Sequence, residues 1–389
     1  MITTMYGLCI LIAIIALSFR KSSEAEGASI LDIKATTQLK GLAILLVIVS
    51  HLNVVRFISL PASCAFAGAW GVAMFLLLSG FGLTQSYVAK GLQIGFIPKR
   101  FKKVIVPYML VTAVWLVLDV VFKKASYSIL TIVLGLLGLD YTSAIDPTMW
   151  FVTFIIAWYL IFFAIFSLPM RDWAKAIVLL IFAFAIRHFA PDFLPSRTAW
   201  QWGLHAYPFV LGVALGLSYR SADRLAKPGT QVGVFAILAC TCLILFGRSV
   251  AGSLANLDIY AFSNIMFSLG AIACTAAIRT LGYRSTLLVT IGYISYELYL
   301  FEWMLLDRYS LLSLVSDKWL GLALYLAGVT GFAILLQRAS CAITRCNTDR
   351  MIKLPSIRLA RGRHSAPTIN ELPLYGGDIP PLPKAHRHR

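Results

Sequence analysis

The stretch QLKGLAILLVIVSHL, residues 38–52, is apolar except for a lysine near its start and a histidine near its end. Eleven steps separate Lys40 from His51. In an α-helix, at about 100° and 1.5 Å per residue, eleven steps bring a side chain back to within about 20° of the same face, about 16 Å further along. The two groups would then look into one groove at two depths. An imidazole has its ordinary pKa near neutrality, so His51 can take and return a proton, while Lys40 offers a positive charge. Plainer roles exist for both: a lysine near a helix end can snorkel to an interface, and a histidine can hydrogen-bond a neighbouring helix.

Two further stretches carry polar chemistry. In PKRFKKVIVPY (98–108), Lys99, Arg100, Lys102 and Lys103 place four positive charges within five residues, just before an apolar run. They either set the orientation of that run or clamp the phosphates of a donor molecule, which Arg and Lys bind well. In IGYISYELYLFEWML (291–305), Ser295, Tyr299 and Glu302 recur at i, i+4 and i+7 and share one helix face, with Glu297 on another. A glutamate there is costly unless it lines a polar cavity. Arg56 and Asp119 fall near the ends of apolar runs and read as interface groups without a functional role. The seven cysteines lie mostly inside apolar runs, with no CxxC or Cys/His spacing, so neither a disulfide framework nor a metal site is expected.

The elements that must position these groups follow from composition. Of 389 residues, 59% are hydrophobic and 13% charged, and the mean hydropathy is +0.81. Soluble domains carry about a quarter charged residues. Apolar runs without strand alternation predict an all-α, polytopic membrane bundle, the lipid bilayer being its first partner. Eleven spans are expected: 2–19, 39–57, 66–88, 104–122, 149–168, 174–190, 201–218, 230–247, 259–278, 285–306 and 319–337. With the N-terminus outside, 26 of the 34 Lys and Arg residues fall on the cytoplasmic side, as basic residues do in membrane proteins. That bias accounts for the net charge of +17 without nucleic acid as a partner. The run 129–139 is too short to span and reads as interfacial or re-entrant. From about residue 345 the chain turns basic and Pro-rich, which predicts a disordered cytoplasmic tail.

In order along the chain, several of these stretches resemble the signatures of the membrane-bound acyltransferase-3 family. LKGLAILLVIVSHL is similar to its basic residue, ten residues, then histidine, and GVAMFLLLSGF (71–81) to its next segment. KRFKKVIVPY is similar to its basic run, MWFVTFIIAWYL (149–160) and YPFVLGVALG (207–216) to later segments, and ISYELYL (294–300) to its last. The resemblance implies a ten-helix bundle over residues 38–340, preceded by an extra helix and loop (1–37) and followed by the tail (341–389). It implies transfer of an acyl group, commonly acetyl from acetyl-CoA, to a carbohydrate outside the cytoplasm. His51 and Lys40 would carry the catalytic roles, and Arg100, Lys103 and Lys99 would bind the donor. Ser79, Ser295, Tyr299, Glu302 and Trp150 would line the cavity on the acceptor side. No bound cofactor is implied, acetyl-CoA being a substrate. A bacterial inner membrane is the implied location, with polysaccharide-synthesis proteins as partners. The chain departs from the pattern at Lys40, often Arg, at Ala73-Met74, often acidic or aromatic, and at Glu302, frequently His. An exporter of a glycan or small metabolite is the alternative on composition alone, although the internal repeats common in transporters are not found.

Overall fold

Asp32 starts the helix that bears both Lys40 and His51. Its backbone is extended (φ −69°, ψ 179°), and its carboxylate accepts the Ala35 amide at 2.7 Å. This satisfies one of the amides that every helix start leaves without an internal partner. The helix then runs unbroken from Ile33 to Val54. The structure, a computed structural model, describes residues 2–22, 31–61, 65–92, 95–142, 144–222, 228–250 and 256–344. The tail expected beyond about residue 345 lies outside the described residues.

Fourteen α-helices are described: α1 (Ile2–Leu17), α2 (Ile33–Val54), α3 (Ala67–Lys90), α4 (Phe96–Lys123), α5 (Ile129–Leu137), α6 (Trp150–Phe166), α7 (Asp172–Phe193), α8 (Ser196–Leu204), α9 (Pro208–Ala222), α10 (Pro228–Val250), α11 (Leu257–Thr280), α12 (Thr286–Tyr293), α13 (Ser295–Trp303) and α14 (Lys318–Thr344). The architecture is the expected all-α membrane bundle. Among the described residues, seven helices are long and apolar enough to cross a membrane: α2, α3, α4, α7, α10, α11 and α14. The expected count of eleven is not reached on that measure. Helices α1 and α6, at 16 and 17 residues, fall short of the length. The run 201–218 breaks between Leu204 and Pro208 into α8 and α9, and 285–306 breaks at Ile294 into α12 and α13. Hydropathy reads across such breaks because the residues stay apolar while the backbone leaves the helix.

Burial grades from the centre outward. In its apolar window α3 buries 72% of residues and α10 only 11%, so α3 is central and α10 turns residues such as Ile237 and Ile244 outward. The centre is held by backbone-to-backbone contact at four glycines. A Cβ on Gly80 of α3 would lie 2.1 Å from the Phe209 carbonyl oxygen, and one on Gly212 of α9 2.0 Å from that of Leu77. In the same reciprocal way, a Cβ on Gly41 of α2 would meet the Leu288 oxygen at 2.0 Å, and one on Gly292 of α12 that of Thr37 at 1.9 Å. Small residues let membrane helices approach this closely and gain dispersion contact where lipid offers no hydrophobic driving force.

A short antiparallel pair, β1 (Phe19–Lys21) and β2 (Tyr283–Ser285), joins the end of α1 to the turn before α12, with Arg20 opposite Arg284. Sequence reading gave no hint of it, since three-residue strands carry too little pattern. Eight of the expected spans lie between these strands, an even number, so the strands can meet on one membrane face. A ninth crossing through α5 would separate them, and α5, nine residues and about 13 Å long, is too short to provide one.

Gly212→Val should force α9 away from α3 and cost about 1–3 kcal/mol or more, as overpacking does. Gly233→Val, where nothing lies within 4 Å, should cost far less. Thermal unfolding of the purified variants in one detergent measures the difference.

Candidate functional site

The break at Ile294 lets α13 turn Glu302 toward α2. His51 Nδ1 and Glu302 Oε1 are 2.6 Å apart, with Glu302 fully buried and the His51 side chain 21% exposed. Trp303 packs edge-on against the imidazole, ring centres 4.7 Å apart. With the carboxylate ionised, His51 donates Nδ1–H to it, which leaves the Nε2 lone pair as the accepting end of the ring. The second carboxylate oxygen, Glu302 Oε2, is buried and has no hydrogen-bond partner among the described residues.

Beside this pair lies the loop between α5 and α6. Tyr299, one turn before Glu302, donates its hydroxyl to the Thr148 carbonyl. The loop repeats one local device, an aspartate followed two residues later by a threonine that caps it. Asp140 accepts the Thr142 amide at 3.0 Å and hydroxyl at 2.5 Å on one oxygen, and the Ala144 amide at 2.8 Å on the other. Asp146 accepts the Thr148 amide at 2.8 Å and hydroxyl at 2.7 Å on Oδ1, but its Oδ2 is buried without a partner among the described residues. Burial pushes the Asp146 carboxyl up to about 6, opposed by the two Thr148 hydrogen bonds, and it feels the charges of Glu302 and His51.

A buried ion pair anchors the same loop. Arg308 Nε lies 3.0 Å from Asp119 Oδ1, and Arg308 Nη1 donates to the Ile145 carbonyl at 2.7 Å. Tyr127 and Tyr309 donate their hydroxyls to Asp119 at 2.6 and 2.7 Å. Asp119, one turn from the end of α4, is fully buried and takes three donors, two tyrosine hydroxyls and the Arg308 guanidinium, on its two oxygens.

Toward the other end of α2, Lys40 lies in the electrostatic field of Lys103 and Arg100 of α4, and Lys103 in that of Glu297 of α13. The sequence had set Glu297 apart from the site residues; here it joins the cationic cluster. Ser79 keeps company with the Tyr159 hydroxyl, which in turn feels Arg100, so Ser79 belongs with this cluster and not with His51. The Lys99 side chain lies outside the described residues. Ser295 spends its hydroxyl on the Gly292 carbonyl at 3.0 Å, at the break between α12 and α13, and only Tyr299 and Glu302 of the expected trio reach the His51 region. Trp150 stacks on buried His205, ring centres 5.5 Å apart, and helps line a pocket of about 50 Å³ with Thr142, Pro147, Pro195, Arg197 and Thr198. Sequence reasoning missed Asp146 and Thr148; their signal was the repeated Asp-x-Thr spacing in DYTSAIDPT.

The family model described as an acyltransferase domain, acyltransferase-3, matches residues 33–338, from the first residue of α2 into α14. The chain belongs to the acyltransferase-3 family. It is therefore a membrane acyltransferase, and the exporter alternative gives way. No curated protein and no solved structure shows a significant match to it. Both clusters in this acyltransferase, around His51 and around Lys40, fall inside the matched stretch, whereas α1 and β1 precede it.

The buried Asp146 carboxyl gives a stability test. Well below the usual carboxylate range, folded and unfolded chains both hold it protonated. As pH rises the unfolded chain ionises first, and above about 6 the folded chain carries a buried anion at a cost of about 3 kcal/mol. Asp146→Asn should therefore unfold at a higher temperature than wild type at pH 8, with the advantage shrinking as pH is lowered to 5. Thermal unfolding across that range checks it.

Proposed function

We propose that this acyltransferase moves an acyl group, acetyl above all, from cytoplasmic acyl-CoA to a hydroxyl of an extracytoplasmic or lipid-linked glycan such as exopolysaccharide, capsule or lipopolysaccharide. The observation that carries the reading is the 2.6 Å bond between His51 and Glu302 on a helix whose other end meets a cationic cluster. Lys40, Arg100 and Lys103 offer charge for the donor's phosphates, and Lys40 acts as a point charge where an arginine would bind bidentately. Donor and acceptor would meet along α2, whose eleven steps from Lys40 to His51 span about 16 Å.

Glu302 holds the imidazole in one tautomer and stabilises the imidazolium that forms, the role a carboxylate plays in hydrolase triads. Nε2 of His51 takes the acceptor's hydroxyl proton as the oxygen attacks the thioester carbonyl carbon. The C–S bond breaks as the tetrahedral intermediate collapses, and His51 returns the proton to the departing sulfur, which leaves an ester and free CoA. Acyl-CoA is consumed as substrate, and the step needs no resident cofactor or metal. The basic bias of one set of loops supports an N-terminus outside and a cytoplasmic C-terminus, in a bacterial inner membrane. The chain would act alone or with separate polysaccharide-synthesis proteins.

The test uses liposomes containing the full chain, acyl-labelled acetyl-CoA and polysaccharide of the producing organism. Label should pass to sugar with wild type and fall by about 10²–10⁴ with His51→Ala, the usual contribution of general acid–base catalysis. Glu302→Gln, which keeps the shape and removes the charge, should lower kcat by at least tenfold with a smaller effect on KM. Equal transfer by His51→Ala at equal folded amounts would remove His51 from the mechanism.

A further inference from the structure

The two Asp-x-Thr turns form an internal comparison. Asp140 uses both carboxylate oxygens within its own turn and needs nothing more. Asp146, built on the same pattern and only 1% exposed, uses one and leaves Oδ2 buried and unpartnered. The neighbouring cation does not serve it: Arg308 pairs with Asp119 and gives its other donors to the Ile145 carbonyl and the Tyr127 hydroxyl. Leaving a buried carboxylate oxygen without a donor costs more than about 1–3 kcal/mol, and a hydroxyl arriving beside His51 would offset that cost. Glu302 Oε2 is in the same condition, within electrostatic range of Asp146, and the Tyr299–Thr148 bond ties the two groups' elements together.

We propose that Asp146 is an acceptor-binding residue that selects polyhydroxylated acceptors by taking a hydrogen bond from a second hydroxyl, next to the one that His51 deprotonates. The proposal rests on the transfer reading above and names the acceptor class more closely: a sugar with neighbouring free hydroxyls. His51 Nε2 accepts from the reacting hydroxyl, and Asp146 Oδ2 accepts from its neighbour. An acceptor lacking that neighbour leaves Asp146 buried and unpaired. Sites built to bond a substrate hydroxyl discriminate strongly against analogues without it. An ammonium-bearing acceptor would also satisfy two carboxylates, but protonated it has no lone pair to attack the thioester.

The experiment uses the full chain in liposomes with labelled acetyl-CoA as donor. Methyl glucoside, methyl galactoside and each of their monodeoxy analogues serve as acceptor probes. The readout is the ratio of kcat/KM for a glycoside to that for the analogue lacking the neighbouring hydroxyl, taken within each variant so that overall losses cancel. Wild type should show a ratio of tenfold or more for one such deletion, and Asp146→Asn should bring it within about twofold of unity. Asp140→Asn, in the turn that is already satisfied, should keep the wild-type ratio. An unchanged ratio in Asp146→Asn overturns the proposal. So does a wild type indifferent to every neighbouring deletion, or one that labels no glycoside or only amines while His51-dependent release of CoA continues. Absence of CoA release even from wild type overturns the transfer reading itself, and this proposal with it.

Discussion

Four carbonyl oxygens set the spacing of this molecule. Those of Leu77, Phe209, Thr37 and Leu288 come so close to glycines on facing helices that a Cβ at any of the four would lie 1.9 to 2.1 Å away. In lipid the apolar surface of a helix gains nothing by leaving solvent, so association rests on contact, and contact needs backbones that can touch. The pairs α3 with α9 and α2 with α12 provide it, each through two glycines used reciprocally. Gly71 of α3 adds a third close approach, toward the Ala43 carbonyl of α2, where a Cβ would lie 2.4 Å away.

The seams also sort the stretches that resemble family signatures. Gly41, Gly80 and Gly212 come from three of them, and Gly292 stands two residues before the last; the second stretch packs against the one near residue 210, and the first against the helix that leads into the last. Only a minority of the signature residues touch polar chemistry. Lys40 and His51 do, and Glu302 meets His51 from just beyond the last stretch, whereas Ser295 closes a helix break and Ser79 sits beside Tyr159.

Much of this was legible in the sequence, for physical reasons. Apolar runs longer than a bilayer is thick fix the bundle, and an eleven-step interval puts Lys40 and His51 on one face, because both depend on local geometry alone. The helix face holding Tyr299 and Glu302 was readable in the same way. What stayed hidden depends on distance in the chain. Glu302 lies 251 residues from His51, and nothing local distinguishes a glutamate that lines a cavity from one that orients an imidazole. The network around Asp119 was hidden because two of its partners, Arg308 and Tyr309, come from the far end of the chain. Asp146 was missed because loops have no period to read, although the repeated Asp-x-Thr was in plain sight.

The seam between α2 and α12 has a consequence for how such a protein can diversify. His51 stands on α2, and Glu302 stands on α13, which continues from α12 after one break, so the hydrogen-bonded pair joins α2 to the continuation of the helix it meets backbone to backbone. Asp146 reaches the same region from a loop, held by side-chain bonds from Tyr299, Arg308 and Thr198. In the proposed reaction, proton transfer would rest on the helices and acceptor recognition on the loop. Under that proposal a lineage could lengthen, shorten or rewrite the loop and so change what it accepts, while the His51–Glu302 geometry stayed with the helices.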